Sequence, residues 1–155
     1  MKTLVVISDT HGNMRQITGL KPIFEECDYI VHLGDTSGDG SHIRKDFKDK
    51  TILINGNCDP IKLGEDEKVI EVENVRIFAT HGHLYSAKTT NLKLIHRAKE
   101  LNCSVVLYGH THRACEEYDD GILVVNPGTL SRYSENSYCY LVINGEKAVA
   151  TIVPV

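Results

Sequence analysis

Asp9, His11, Asp35, Asn57, His81, His110 and His112 are the residues of this chain whose types and spacing could hold metal ions. They fall in five short motifs: Asp9-Thr10-His11, Gly34-Asp35, Gly56-Asn57-Cys58-Asp59, Thr80-His81-Gly82-His83 and Gly109-His110-Thr111-His112. Carboxylate, imidazole and amide oxygen, with no obligatory thiolate, suit Mn, Fe, Co, Ni or Zn better than Ca. Seven such groups are more than one tetrahedral ion can use. Two ions sharing a carboxylate, roughly 3.5–4 Å apart, use them naturally, and the chemistry of such a pair is assisted hydrolysis. Taken singly, each motif has a plainer reading. Asp9 could cap a helix, and Asp35 or Asn57 could be a turn residue beside glycine. His110 and His112 say more, because alternate residues of an extended chain point the same way.

The elements that must position these groups are legible around them. Each motif directly follows an apolar run: LVVIS, YIVHL, TILIN, RIFA and VVLY. The lead residues Asp9, Asp35, Asn57, His81 and His110 are separated by 26, 22, 24 and 29 positions, about one supersecondary unit each. The chain therefore brings a polar group to the same sheet edge on each return, and in open α/β sheets ligands bind outside the carboxyl ends of the strands. In the first half, strands at Thr3–Ile7, Tyr29–Leu33 and Thr51–Ile54 alternate with a helix over Asn13–Glu26 and a short helix over Ser41–Lys48. The first helix is imperfect at Gly19 and Pro22, and Ser41 would cap the second. That order suggests parallel strands with crossover helices. The second half reads as a hairpin, Lys68–Glu71 and Arg76–Ala79 around Glu73-Asn74, and an amphipathic helix over Thr89–Leu101. Strands follow at Ser104–Tyr108, Ile122–Val125, Tyr138–Ile143 and Ala148–Val153, with Asn144-Gly145 as a hairpin turn. The sum is an α/β chain with one mixed sheet or two packed sheets and helices outside. His32, His42 and His96 end no strand and keep ordinary structural roles.

At 155 residues, with 41% apolar and 25% charged residues, the chain fits a single domain, 1–155. A net charge of −4 argues against a general nucleic-acid binder. No apolar run approaches a membrane span, and Met1-Lys2 leads directly into a short strand rather than a secretory signal. The five cysteines are odd in number and form no Cys-x-x-Cys pair, which points to reduced thiols and a cytoplasmic location.

In the combination D-x-H, G-D, G-N-x-D, H and G-H-x-H, from Asp9 to about Arg132, the chain resembles the calcineurin-like metallophosphoesterase family. It is most similar to the family's small bacterial and archaeal, YfcE-like phosphodiesterase branch. The loop Asn126-Pro127-Gly128-Thr129-Leu130-Ser131-Arg132 also resembles one of that branch; by itself it reads as a proline-glycine turn and is assigned no chemistry. The resemblance implies a two-sheet mixed β-sandwich flanked by helices, a four-layer αββα arrangement. It implies two divalent transition-metal ions, Mn foremost, with Ni, Zn, Fe or Co as alternatives. Asp9, His11, Asp35 and His112 would hold one ion. Asp35, Asn57, His81 and His110 would hold the other, with Asp35 bridging and a metal-activated hydroxide attacking a small phosphodiester. A phosphomonoesterase or nucleotidase on the same centre is the alternative. The family also includes a retromer subunit that acts as a protein-binding scaffold, but here no expected ligand is missing. Many relatives carry histidine after the motif asparagine, where it protonates the leaving group; this chain has Cys58, a poorer acid or simple space-filling. His83 could contact the substrate phosphate, support a ligand, or face solvent. No stable nucleic-acid or membrane partner is expected, and a homo-oligomer is compatible with the sequence.

Overall fold

The computed structural model describes residues 1–155, except for the side chain of Ser37. The first half folds as β1 (Lys2–Ile7), α1 (Met14–Gly19), α2 (Lys21–Glu26), β2 (Tyr29–His32), α3 (Ser37–Asp46) and β3 (Thr51–Leu53). There follow β4 (Glu67–Val72), β5 (Val75–Thr80), α4 (Leu92–Glu100), β6 (Val105–Leu107), β7 (Cys115–Asp119), β8 (Ile122–Asn126), β9 (Ser137–Asn144) and β10 (Lys147–Pro154). Two five-stranded sheets result, ordered β10-β9-β1-β2-β3 and β4-β5-β6-β8-β7. In the first, β1, β2 and β3 are parallel while β9 and β10 run antiparallel. In the second, β5, β6 and β8 are parallel, and β4 and β7 are antiparallel edges. Both sheets are mixed, as the resemblance implied.

The period-2 alternation of each strand sorts its side chains into two cores. Leu4, Val6, Val31 and Leu33 from one sheet meet Ile77, Val105, Leu107 and Val125 from the other, all buried between the sheets. The alternate residues Val5, Ile7 and Ile30 face outward and are covered by Ile17, Phe24 and Ile43 of the first three helices. On the far side, Phe78, Val106 and Val124 are covered by Leu94, Ile95 and Ala98 of α4. Strands buried on both faces must be apolar at every position, which is why VVI, IV and VVL carry no polar alternation. Among the described residues, no helix is long and apolar enough to cross a membrane.

Three local readings need correction. The helix expected over Asn13–Glu26 is two helices, because Leu20 separates them and Pro22 sits in the first turn of α2, where its missing N–H costs nothing. The second helix begins at Ser37 with Thr36 as its N-cap, so Ser41 lies inside it. Strand β7 was not expected: four of its five residues are exposed and it pairs only with β8, so it lacks any buried face to announce it. Both hairpin turns are present, with Val72 opposite Val75 and Asn144 opposite Lys147.

Candidate metal centre

All five motifs lie just beyond the carboxyl ends of strands. Asp9 and His11 follow β1, Asp35 follows β2 and Asn57 follows β3, all in the first sheet; His81 follows β5, and His110 and His112 follow β6 in the second. Backbone bonds lock neighbouring loops together: Asp9 N–H donates to Gly34 O at 2.9 Å, His11 N–H to Asp35 O at 3.2 Å, and Gly109 N–H to His81 O at 2.9 Å. Asp9, His11, Asp35, His110 and His112 all have left-handed backbones, with φ between 42° and 69°. Such conformations are uncommon for residues with a Cβ and persist only where the surroundings over-determine them.

The side chains converge across the two sheets. Asp9, His11 and His112 form one cluster of ligating atoms, and Asp35, His81 and His110 form a second. Asp9 Oδ1 lies 3.2 Å from His112 Nε2 and 3.9 Å from both His11 Nε2 and His81 Nε2. Asp35 Oδ2 lies 3.4 Å from His81 Nε2 and 3.8 Å from His11 Nε2, so a single oxygen faces a histidine of each cluster. Asn57 Oδ1 is 3.0 Å from His81 Nε2. The His81 and His110 rings are 5.1 Å apart, and those of His11 and His112 5.3 Å.

The oxygens left over are already occupied by the protein. Asp9 Oδ2 accepts Ser8 Oγ–H at 2.6 Å and His110 N–H at 3.0 Å, whereas the fully buried Oδ1 has no hydrogen-bond partner. A buried, unpartnered carboxylate oxygen costs free energy unless a cation meets it. Asp35 Oδ1 accepts Cys58 N–H at 2.8 Å. His81 Nδ1 lies 2.7 Å from Leu33 O, a group that can only accept, so Nδ1 carries a proton, and in the neutral ring that metal binding requires the Nε2 lone pair would face Asn57 and Asp35. Acceptor facing acceptor at these distances is what ligands of one ion show, since donors about 2.1 Å from a metal stand about 3.0–3.4 Å apart. The residues present therefore fit divalent transition-metal ions.

In the bare protein, burial opposes ionisation of Asp35, but His81 and the Cys58 N–H prevail and hold its carboxyl well below the usual range. Burial likewise disfavours a charged His81, yet Asp35 and Asp9 outweigh it and raise its pKa. Burial, then the field of His81, lowers both His110 and His83. His83 opens a 3-10 turn, His83–Tyr85, with its ring 5.4 Å from His81 and 6.1 Å from His110. Cys58 is exposed at the rim, with Asn57 Nδ2 3.5 Å from its sulfur. Beside the histidines, Lys88, Thr111 and Arg113 line a cleft of about 440 Å³, and neither cation has an ion-pair partner among the described residues.

Several groups that shape the site were not singled out by sequence. Asp59 closes the Gly56-Asn57-Cys58-Asp59 motif, and its Oδ2 accepts the Gly56 N–H at 2.7 Å and the Asp35 N–H at 3.2 Å. A carboxylate three residues past a strand-end glycine was the available signal. Thr10 donates to Asp39 at 2.6 Å and lies 3.0 Å from Nε2 of the buried His32, which was expected to end no strand but is the last residue of β2. Gly109 allows the closest approach of the two sheets' loops: a Cβ there would stand 2.0 Å from Ser8 Oγ and 2.8 Å from Asp9 Oδ2.

Residues 1–147 match the model of the calcineurin-like phosphoesterase superfamily domain. The chain is 32% identical over 150 residues to a probable metallophosphoesterase, YsnB, of Bacillus subtilis, covering 94% of this chain and 86% of the relative. It is 32% identical over 148 residues to the phosphodiesterase MJ0936 of Methanocaldococcus jannaschii, covering 83% and 84%. Among solved structures, a conserved protein of Streptococcus pneumoniae, a predicted phosphoesterase, superposes with a TM-score of 0.82 at 26% identity, over 99% of this chain and 89% of the other.

Proposed function

The chain belongs to the calcineurin-like phosphoesterase superfamily, and from that premise we propose that it is a phosphodiesterase working through a dinuclear metal centre. Asp9, His11, Asp35 and His112 would hold one ion, and Asp35, Asn57, His81 and His110 the other. The observation that carries this reading is Asp35 Oδ2, placed between a histidine of each cluster. When bound, the ions would polarise the phosphoryl oxygens and acidify a water to supply the nucleophile; Mn is the foremost candidate, with Ni, Zn, Fe and Co as alternatives. The protein's own part is to present neutral imidazoles and two buried carboxylates without rearrangement. Loops braced by Ser8, Asp59 and the inter-loop backbone bonds do this. Water would add to phosphorus and the ester oxygen would leave with a proton. Cys58, which is exposed, and His83, which is half-buried, would be the candidates to contact the substrate or its leaving group. Lys88 and Arg113 would favour an anionic substrate. The five unpaired thiols support a cytoplasmic setting.

The test is metal loading of purified apoprotein followed by elemental analysis, an aryl phosphodiester assay and a thermal melt. We expect about two ions per chain and turnover of the diester in excess of the matching monoester. Removing the ions with a chelator should lower the melting temperature by roughly 5–10 °C, given about 2.7 kcal/mol of linkage at a hundredfold excess over Kd. One ion or none, with no turnover in Mn²⁺, Ni²⁺ or Zn²⁺, would instead support a binding scaffold. Preference for the monoester would make the protein a phosphomonoesterase.

A further inference from the structure

The loop after β8 supplies none of the candidate ligands, yet it is tied to the backbones that present three of them. Asn126 closes β8 and is fully buried. Its Nδ2 donates to Gly109 O at 3.0 Å and to Thr111 Oγ1 at 3.0 Å, and its Oδ1 accepts the Gly128 N–H at 2.9 Å. Gly109 and Thr111 flank His110, and Thr111 separates it from His112; the two histidines sit at φ 69° and 61°. One side-chain amide thus pins both sides of a strained segment. Three residues on, Thr129 is 1% exposed, and its hydroxyl donates to Asp9 O at 2.8 Å. The next amide, Leu130 N–H, donates to Ser8 O at 3.3 Å. Asp9 itself is at φ 53°. The Thr129 hydroxyl accepts from Ser131 N–H at 3.0 Å and lies 3.0 Å from Ser131 Oγ; the Asp9 carbonyl can only accept while the Ser131 hydroxyl can donate, so the single Thr129 proton goes to Asp9 O.

We propose that Asn126 and Thr129 are positioning residues for metal binding: Asn126 holds the backbone that presents His110 and His112, and Thr129 holds the backbone that presents Asp9. The inference rests on the dinuclear reading above and adds a selectivity to it. Asn126 acts on a histidine of each cluster, whereas Thr129 acts directly on the backbone of Asp9, in the cluster with His11 and His112, and reaches the other cluster only through the Asp9 Oδ2–His110 N–H bond. Losing Thr129's bond should therefore weaken one ion far more than the other. Groups that orient ligands in this way typically govern metal affinity by about 10–100-fold.

The experiment titrates apoprotein with Co²⁺, reading the visible d–d spectrum and calorimetric heats for wild type, Thr129→Val, Thr129→Ser and Asn126→Ala. Apoprotein melts are recorded alongside. Thr129→Val keeps the volume and removes the hydroxyl. We expect one of its two ions to bind about 10–100-fold more weakly and the other within about twofold of wild type, with Thr129→Ser restoring both. Asn126→Ala should weaken both ions; should that variant not fold, the Thr129 pair decides alone. The inference is overturned if Thr129→Val binds both ions as wild type does, even with a lowered apoprotein melt, since that is what a purely structural loop would do. It is also overturned if both ions weaken equally in Thr129→Val and serine fails to rescue. A wild type that binds no pair of ions overturns the dinuclear reading itself, a pattern distinct from either.

Discussion

The two sheets contribute different chemistry to one site. The sheet built on β1, β2 and β3 delivers the carboxylates Asp9 and Asp35, the amide Asn57 and one imidazole, His11. The sheet built on β5 and β6 delivers only imidazoles, His81, His110 and His112. Neither holds a complete cluster. Asp9 and His11 are completed by His112, and Asp35 by His81 and His110. The negative charge that would attract cations is thus all on one layer, and three of the four imidazoles that would set their geometry are on the other, the two layers joined by the packed core of Leu4, Val31, Ile77 and Leu107. The site exists only where both layers are in register, so metal binding and sheet packing should be coupled.

The largest effect should come from removing the charge that both clusters share. Asp35→Asn is expected to lower kcat/KM by on the order of 10²–10³-fold and to reduce bound metal, while His83→Ala, at the rim of the second sheet, costs less than about tenfold. Steady-state kinetics with parallel metal analysis would decide it. Should Asp35→Asn keep both ions and near-normal turnover, the shared role belongs to another group.

A smaller effect tests the seam between the layers. Gly109→Ala adds a methyl group where the second sheet's loop meets Ser8 and Asp9 of the first. Ser8 can make room only by giving up its bond to Asp9 Oδ2. The expected cost is about 1–3 kcal/mol, read by calorimetry as a melting temperature lower by roughly 3–10 °C, with weaker metal binding. An unchanged melt would mean that the layers are not in tight contact there.

The smallest effect concerns Cys58, which stands outside both clusters. Alanine retains the backbone N–H that donates to Asp35 Oδ1 and loses only the thiol's own contacts with Asp35 and Asn57. Cys58→Ala should therefore keep its metals and stay within about threefold of wild type on an activated aryl diester. Cys58→His should gain on poor leaving groups, by up to ~10²-fold, because imidazole with a pKa near 6.5 is the better proton donor. A graded series of leaving groups measures both. A large loss in Cys58→Ala with metals intact would show that the thiol takes part.

Much of this arrangement was legible before any coordinates. Asp9, Asp35, Asn57, His81 and His110 each follow an apolar run, and those runs are strands. The common edge expected of them is in fact two, because the return from Asn57 to His81 passes through the antiparallel hairpin of β4 and β5 into a second sheet, and the motifs meet across both. The amphipathic spacing of Leu94, Ile95 and Ala98 likewise located α4. Legibility failed where local pattern is silent. Cys115–Asp119 is an exposed edge strand without alternation, and residues 13–26 form two helices meeting at Leu20, a break that Gly19 and Pro22 signal without fixing its place. The bracing of the site was equally hidden: Thr129 reaches Asp9 across 120 residues of chain, and Asn126 reaches Gly109 across 17.

The sequence by itself determined which groups reach the site and in what order, because side-chain type is local and strand ends follow from hydrophobic period. Only the tertiary structure decided how those groups are shared. The two oxygens of a carboxylate are identical in sequence. Once folded, Asp9 Oδ2 is taken by Ser8 and His110 while Oδ1 is left bare, and Asp35 Oδ2 is set between His11 and His81. That division depends on distances of a few ångströms between two separately built sheets, and it is fixed by how their faces pack rather than by any residue's neighbours in the chain.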